Sequence, residues 1–415
     1  MKRLTFWLAG ILAFLVVLIV LSVVIFVLTG KSALRNKLAV WEEAGGAATM
    51  AEYAEKWNGQ LTESEMQAGV AFANALAATP SENPEEISDN DLVGDEADTA
   101  DLQALATCVE AAEEALALAH DAADADVTRW PIAVAESDSY MDMLGETVES
   151  LGNPRSLAKF LRIEAVYRAR QGDMEGAFES IETGLRLAQY ETRQPTLLSH
   201  LVAIAIQAII LDTIDTTMTQ VTHPDTLPDL SSIDALLQRS MMRPHVRPVM
   251  LGEGTYGLSM YSDMAARSMP EVLSGILYGH VAARYLEYLL DGIEYYERQA
   301  LQRTDANQPP IPPKWTGVSL LAPAIEKYNA AVTRCDAKTL LARQAIQLTE
   351  YYREHKAFPA SEDFQSLATN EAHGFVITYT LSDDGHTVTL GCEPHPDFNT
   401  KEADAVSKET WELTW

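Results

Sequence analysis

The sequence is poor in cysteine and in basic residues. Its 415 residues include three cysteines, Cys108, Cys335 and Cys392, too few and too scattered for a disulfide framework or a zinc site. A Cys335–Cys392 bridge stays open if the C-terminal part lies outside the cytoplasm. Lys and Arg number 30 against 60 Asp and Glu, which gives a net charge of −30. Because nucleic-acid phosphates bind basic surfaces, this charge argues against a nucleic-acid partner.

The sequence also lacks complete enzyme motifs. It contains no G-x-S-x-G, no H-E-x-x-H and no Walker A lysine loop. Gly252–Gly257 matches G-x-G-x-x-G, but no Lys lies between Lys159 and Lys314 to hold phosphates, so we interpret it as a flexible break between helices. His223-Pro224-Asp225 and His395-Pro396-Asp397 spell the tripeptide of J-domain co-chaperones without its basic helix, and we predict ordinary turns. We therefore predict no catalytic residue, no cofactor-binding residue, no metal ligand and no cofactor.

Acidic segments raise the question of calcium binding. Asp89, Asp91 and Gly94 begin like an EF-hand loop, but Val93 and Ala100 occupy positions where ligands belong. Further oxygen donors lie in the tail, at Asp397, Asn399, Glu402 and Asp404. We interpret both segments as solvated acidic turns, and calcium binding stays open.

A few other side chains could carry function but are expected to be structural. His200 lies on an apolar helix and is predicted to be a hydrogen-bonded core residue. Four tyrosines at near-heptad spacing are predicted to pack between helices, with a ligand groove as the alternative; they are Tyr278, Tyr285, Tyr288 and Tyr295. The densest basic patch is expected to pair with internal carboxylates, or to bind an anionic partner; it comprises Arg239, Arg243, His245 and Arg247.

One long apolar run decides the class of protein. Leu4 to Leu28 contains no charge and holds nineteen Leu, Ile, Val or Phe residues. As a helix it would span about 37 Å, enough to cross a hydrocarbon core of about 30 Å. The run is longer than the apolar core of a signal peptide, and no small-x-small cleavage site follows. We therefore predict a single uncleaved membrane anchor that contacts the lipid bilayer through Leu4 to Leu28.

The side of the membrane is indicated less directly. Lys2 and Arg3 precede the run, and Lys31, Arg35 and Lys37 follow it, so the positive-inside count is nearly balanced. The short N-terminal tail and the acidic bulk favour an interior N-terminus. We predict a single-pass protein of the inner (cytoplasmic) membrane, with the bulk of the chain extracytoplasmic.

The remaining sequence predicts a mainly α fold with helical hairpins and a small C-terminal α+β unit, a long helix plus a β-hairpin. A helical hairpin turns at Gly172-Asp173, and the apolar stretch Leu197–Leu211 reads as the buried central helix. A further long helix is expected from Pro270 to about Leu301. The predicted segments are a transmembrane anchor (1–30), juxtamembrane helices (31–79), an acidic linker (80–100), a helical domain (101–304), a Pro-rich linker (305–316) and a C-terminal domain (317–415).

The C-terminal domain should begin with a helix from about Pro323 to Glu354. A short helix with Ser361 as its N-cap is expected next. A β-hairpin follows, because apolar and polar residues alternate from Phe375 to Leu381 and again from Val388 to Cys392, around the turn at Ser382–Gly385. We read the tail from Glu393 to Trp415 as mostly polar.

Two stretches resemble known families. Tyr167 to Leu185, with Gly172-Asp173 at its turn, resembles the middle of a tetratricopeptide repeat, in a single convincing copy. Ala345 to Leu390, with Phe358-Pro359 between helix and hairpin, is similar to the soluble half of type II secretion pseudopilins. Lys356 stands where that family has a Gly, and no prepilin cleavage motif precedes the apolar run, so assembly into a fibre is not implied. The whole order is similar to a loose family of uncharacterised single-pass bacterial membrane proteins.

These features predict a membrane-anchored, non-catalytic interaction or scaffold protein of the bacterial envelope, with an unidentified protein partner. One alternative is a peptide- or ligand-binding module that uses the tetratricopeptide-like hairpins. Another is an enzyme whose site is assembled from scattered residues that the sequence does not reveal.

Overall fold

The computed structural model of the chain is mainly helical and ends in a three-stranded antiparallel sheet, which confirms the coarse fold class. The structure describes residues 2–81, 102–125, 127, 129–132, 152–221, 223–268, 271–298, 310, 322–364, 375–394 and 409–414. The acidic and Pro-rich linkers lie outside the described residues except for residues 80, 81 and 310. The domain boundaries stay predictions.

The N-terminal segment forms three helices: α1 (Lys2–Glu43), α2 (Met50–Asn58) and α3 (Glu63–Ala78). Helix α1 includes the whole of Leu4 to Leu28 and continues without a break into the folded body, where Trp41 is fully buried. Helix α3 begins with a capping box, since Thr62 accepts from the Glu65 amide and Glu65 accepts from the Thr62 amide. The membrane location of α1 stays a prediction.

The next helices are α4 (Leu102–Ala111), α5 (Glu113–Ala123), α6 (Gly152–Arg170) and α7 (Met174–Glu191). Helix α5 packs on α3, α4 packs on α6, and α6 packs on α7. The predicted hairpin of α6 and α7 is confirmed. Its turn uses Gly172, whose φ of +83° is the left-handed conformation that glycine adopts readily, and Asp173 caps α7 by accepting from the Gly176 amide at 3.0 Å. The apolar face of α7, including Ala177, Ile181 and Leu185, is buried.

Helix α8 (Leu197–Thr219) is the predicted central helix, and it runs eight residues past the predicted end at Leu211. It packs against α6, α7 and the C-terminal helix. Among the helices whose side chains are described along their whole length, it is the one long and apolar enough to cross a membrane, and 56% of its most apolar stretch is buried. Its buried face includes the polar residues Thr213, Thr216 and Thr217, so the packing is that of a core helix.

Three helices follow: α9 (Ser231–Arg239), α10 (Val246–Ser268) and α11 (Glu271–Glu297). The expectation of a flexible break at Gly252–Gly257 is wrong, because these residues lie inside α10. The expectation of a long helix after Pro270 is confirmed, with its end four residues earlier than predicted. Helices α10 and α11 pack against each other, and α11 also packs along α1.

The C-terminal part contains the long helix α12 (Ala322–His355) and the short helix α13 (Ser361–Phe364). Strands β1 (Phe375–Leu381) and β2 (Thr387–Pro394) form the predicted hairpin, in which Leu381 pairs with Val388. The tail contains an unpredicted third strand, β3 (Glu409–Thr414), paired antiparallel with β2. Trp411 and Leu413 on β3 are buried, so this end of the tail belongs to the core.

Two apolar clusters hold the described elements together. One joins Phe72 of α3, the hairpin of α6 and α7, helix α8, helix α12 and all three strands. The other surrounds Trp41 of α1 and includes apolar residues of α10, α11 and the first half of α12. Cys108, Cys335 and Cys392 are all buried, and Cys335 and Cys392 are not bridged to each other.

Candidate functional site

A surface groove lies where α1 ends and α2 packs against the start of α10. Gly45, with a φ of +105°, ends α1 in the left-handed conformation, and the Gly46 amide donates back to the Trp41 carbonyl, so the chain turns sharply into α2. The groove encloses about 490 Å³. Its lining residues are Glu42, Gly45, Tyr53, Lys56, Trp57, Gln60, Arg247, Pro248 and Leu251. We call it the α1–α2 groove.

Most polar groups of the groove are already engaged in structural contacts. The Arg247 guanidinium donates to both carboxylate oxygens of Glu297, at 2.7 and 2.9 Å, and to the Ala44 carbonyl at 3.0 Å. Lys56 donates to the Gly46 carbonyl at 3.3 Å. The Trp57 indole donates to the Trp130 carbonyl at 2.8 Å. The groove therefore offers an apolar and aromatic surface more than a set of unsatisfied polar groups.

This surface can receive an apolar side chain of a partner. Tyr53 is nearly buried, and burial raises the pKa of its phenol to about 12, so it presents a neutral ring. Trp57 is half-buried beside it, with the Arg129 guanidinium 5.7 Å from its ring. Tyrosine and tryptophan combine large contact area with few rotatable bonds, which is the reason they are enriched at protein interfaces.

A second group of functional side chains lies in the core between α8 and α12. His200 is fully buried, as predicted, and its Nδ1 lies 2.5 Å from the Tyr328 hydroxyl. The ring of His245 lies 5.8 Å away, centroid to centroid. Burial lowers the pKa of His200 well below its ordinary value, and proximity to His245 lowers it further.

The protonation states in this core do not fit acid–base catalysis. Burial raises the pKa of the Tyr328 phenol well above its ordinary value, so His200 is a neutral ring beside a protonated hydroxyl. Neither His200 nor Tyr328 lines the α1–α2 groove. A general base must reach a substrate, and these two groups contact each other inside packed helices. The pair therefore ties α8 to α12.

Asp336 extends this tie to the turn before α10. Its carboxylate accepts from the backbone amides of Met242 at 2.6 Å and Arg243 at 3.2 Å, where a short 3₁₀ turn begins. The Arg243 guanidinium donates to the Thr333 hydroxyl at 2.8 Å. The contacts satisfy the exposed amides of the turn and fix it on α12.

A third cluster, the Glu164 network, joins α5, α6 and α7. Glu164 accepts from Arg168 at 2.7 Å and from Ser180 at 2.9 Å, and it lies 2.8 Å from His120 Nε2. The Thr183 hydroxyl lies 2.8 Å from His120 Nδ1. Burial alone would raise the pKa of Glu164, but its charged and hydrogen-bonding neighbours outweigh burial and lower it.

The order Thr183, His120, Glu164 resembles a nucleophile–base–acid triad in its spacing only. The Thr183 hydroxyl donates its proton to the Glu179 carbonyl at 3.0 Å, as threonines inside helices commonly do. That proton is therefore not directed at the imidazole, as activation of a nucleophile requires. Thr183 is also buried. The network holds three helices together with charge-assisted hydrogen bonds.

The G-x-G-x-x-G segment has a packing role that the sequence did not reveal. A β-carbon on Gly252 would lie 2.0 Å from the Pro195 carbonyl oxygen, one on Gly254 would lie 2.3 Å from the Trp41 ring, and one on Gly257 would lie 2.3 Å from the Tyr285 hydroxyl. The three glycines therefore let α1, α11 and the loop before α8 approach α10 closely. No signal in the local sequence distinguishes this packing role from a flexible break, because the residues that contact the glycines are distant in the chain.

The structure confirms packing or turn roles for several other residues that the sequence analysis singled out. Tyr285 and Tyr295 are buried between helices as predicted, and the Tyr285 hydroxyl donates to the Glu253 carbonyl at 2.8 Å. In the basic patch, Arg247 pairs with Glu297 as expected. His223-Pro224-Asp225 forms a 3₁₀ turn, as predicted.

The candidate calcium segments, from Asp89 to Ala100 and from Asp397 to Asp404, lie outside the described residues, as does His395-Pro396-Asp397. Within the described ranges, no group of three or more His, Cys, Asp or Glu side chains is placed to hold a metal ion.

Comparison of the chain with protein-family models, with curated proteins and with solved structures found no match. The resemblances to tetratricopeptide repeats and to pseudopilins therefore stay expectations from the sequence.

Proposed function

We propose that the protein is a membrane-tethered interaction protein of the bacterial envelope, without catalysis, whose body receives a protein partner near the membrane. The observation that carries this proposal is the surface of α1. Within the apolar run Leu4 to Leu28, seven large apolar residues whose exposure is described are 39–61% exposed; they are Val17, Leu18, Leu21, Val24, Ile25, Phe26 and Leu28. At about 25 cal/mol per Å² of apolar surface, leaving such a face in water is costly, and a bilayer removes that cost.

The continuity of α1 supports tethering. The same helix that carries the bare apolar face ends at Glu43, two residues after the buried Trp41. Lys37 pairs with Glu287 of α11 at 3.1 Å, which adds a polar contact just beyond the apolar run. Phe26, inside the apolar run, contacts His280 of α11, and a removable leader would not be expected to pack against the body that remains.

Membrane attachment is tested by flotation of the full-length protein with lipid vesicles after extraction at high pH. We expect the protein to float with the lipid. A variant with Arg in place of Leu18 and Val24 should lose flotation, since charge in the hydrocarbon core is costly. Recovery of the wild-type protein in the aqueous fraction would overturn the proposal. Protease protection in intact spheroplasts then tests whether the body is extracytoplasmic.

The α1–α2 groove is the favoured contact surface for the partner. A photo-crosslinking residue at Glu42, on the rim of the groove, should give a discrete adduct in native membranes. The matched control is the same residue at Glu175, which is exposed on α7 away from the groove. Equal crosslinking at both positions, or none at Glu42, would count against this surface.

The alternatives have less support. A ligand groove lined by the four tyrosines was the alternative. Tyr285 and Tyr295 lie in the core, and Tyr278 and Tyr288 are partly buried on α11. None of these tyrosines lines the α1–α2 groove. For an enzyme, titratable residues with shifted pKa values should meet at an open pocket. His200 and Tyr328 have such shifts but are buried between packed helices. His245 also has a lowered pKa and is partly buried in the 3₁₀ turn before α10, and none of the three residues lines the α1–α2 groove.

A further inference from the structure

Helix α11 runs beside α1 in the same direction. The ring of Phe26 on α1 contacts the ring of His280 on α11, with centroids 4.1 Å apart and planes tilted by 42°, and Lys37 pairs with Glu287. Residue numbers therefore rise together along both helices. Because the pairing is parallel, the start of α11 lies toward the N-terminal, apolar end of α1.

The closest contact fixes the relative height of the two helices. A β-carbon on Gly279 would lie 2.6 Å from the carbonyl carbon of Gly30, so the two backbones touch at these glycines. His280 Nε2 lies 2.9 Å from the Phe26 carbonyl oxygen and holds this register. Close approach at paired small residues is a common way for helices to associate inside membranes.

The heights of the helix ends follow from this register. Helix α11 begins at Glu271, eight residues before Gly279, which is about 12 Å along a helix. Eight residues before Gly30 on α1 is Ser22, well inside Leu4 to Leu28. Helix α10 ends at Ser268, next to the start of α11 in the sequence. Both ends therefore lie level with the apolar run of α1.

We propose that the end of α10 and the start of α11 are inserted into the bilayer leaflet nearest the body, where they contact phospholipid beside α1. This inference rests on the proposed membrane anchor. The sequence suits that depth, since Glu271 to Leu277 supplies the four apolar residues Val272, Leu273, Ile276 and Leu277. The charges of Arg267 and Glu271 are a cost of this insertion, which long charged side chains reduce by extending toward the interface.

The inserted helix ends give the body a second contact with the membrane. A single helix leaves the body free to rotate about the helix axis, whereas a second element at the interface restricts that rotation. The occupant of this surface is the lipid leaflet itself, continuous with the lipid around α1. The alternative is that the bilayer covers only the first part of the apolar run and the helix ends stay in water.

The test measures the depth of single labels in vesicles of phosphatidylcholine and phosphatidylglycerol. The full-length protein carries an environment-sensitive fluorophore on Ser274→Cys, and nitroxide-labelled lipids serve as quenchers. The matched control is Glu294→Cys, exposed on the same helix about 30 Å farther from the apolar end. The native cysteines are buried, so they react slowly in the folded protein.

Quenching at residue 274 should be about twofold or more stronger than at residue 294, with headgroup-level nitroxides more effective than deep ones. A label at Glu271→Cys provides a second position in case Ser274→Cys fails to fold. If the protein floats with the vesicles but the labels at residues 274 and 271 are quenched no more than the label at residue 294, this inference is overturned and the proposed anchor stands. Failure to float at all would overturn the proposed anchor and this inference with it.

Discussion

Gly254 lies directly against the indole ring of Trp41. A β-carbon on Gly254 would come within 2.3 Å of Cη2 and Cζ2 of that ring and 2.9 Å of Leu289 Cδ1. Trp41 itself has no solvent exposure. The glycine inside α10 therefore creates the space in which the end of α1 is anchored to the body.

Replacing Gly254 with Ala should destabilise the protein by about 1–3 kcal/mol, because the added methyl group overlaps the Trp41 ring and outweighs the helix preference of alanine. The midpoint of thermal unfolding in detergent, followed by circular dichroism, measures the change. Gly292→Ala is the matched control, since a β-carbon at that helical position would meet no atom within 4 Å. The control should be neutral or more stable by up to about 1 kcal/mol. Equal melting of the two variants would contradict the packing role of Gly254.

Asp215 on α8 should make stability fall as pH rises toward neutrality. Burial raises the pKa of its carboxyl to about 6, Asp212 adds to the rise, and Lys338 opposes it. A folded-state pKa above the unfolded value means that the folded state binds more protons between about pH 4 and 6, so stability falls across that window. Asp215→Asn should therefore be more stable than the wild type by about 1–2 kcal/mol at pH 7, with the difference vanishing near pH 4. A difference that does not change with pH would refute this assignment.

Glu164 should have the opposite pH dependence. Its lowered pKa means that its contribution is present above about pH 4.5 and is lost as pH falls through the folded-state value. Glu164→Gln keeps the shape but weakens the contacts with Arg168 and His120, and should cost about 2–3 kcal/mol at pH 7. Glu179→Gln is the control, since this side chain is 65% exposed and lies 3.4 Å from the same arginine. We expect the control to change stability by less than about 0.5 kcal/mol in urea titrations.

Replacing Lys356 with glycine should increase the stability of the protein. It ends α12 with a φ of +56°, the left-handed conformation that disfavours residues with a β-carbon. Lys356→Gly should stabilise the protein by roughly 1 kcal/mol, although it removes an exposed ion pair with Asp225. Lys356→Ala removes the same pair and keeps the β-carbon, so it should melt no higher than the wild type. If both variants melt at the same temperature, backbone strain at residue 356 does not reduce the stability of the wild-type protein.

Several elements followed directly from the sequence. The hairpin of α6 and α7 was predictable because Gly172-Asp173 interrupts two runs with helical periodicity. The pair of strands β1 and β2 was predictable because apolar residues alternate on both sides of a Gly-containing turn. In each case the signal is local, so neighbouring residues suffice to specify the structure.

Other elements depended on contacts between distant residues. Strand β3 was missed because Trp411 and Leu413 alternate with polar residues over only a few positions, and the partner strand β2 supplies its hydrogen bonds. The glycines of α10 were interpreted as a flexible break between helices, because the close approach of Trp41 and Tyr285 cannot be seen in the local sequence. The α1–α2 groove likewise brings together residues about 190 positions apart, such as Tyr53 and Pro248.

The unbroken course of α1 sets the mechanics of the whole protein. Its 42 residues extend about 63 Å with no joint between the apolar run and the buried Trp41. A change in the tilt of this helix in a bilayer would move the body by the same angle, and a force on the body would in turn tilt the helix. If α1 lies in the bilayer as proposed, the body would be held at one height relative to the membrane surface, where a partner would meet it.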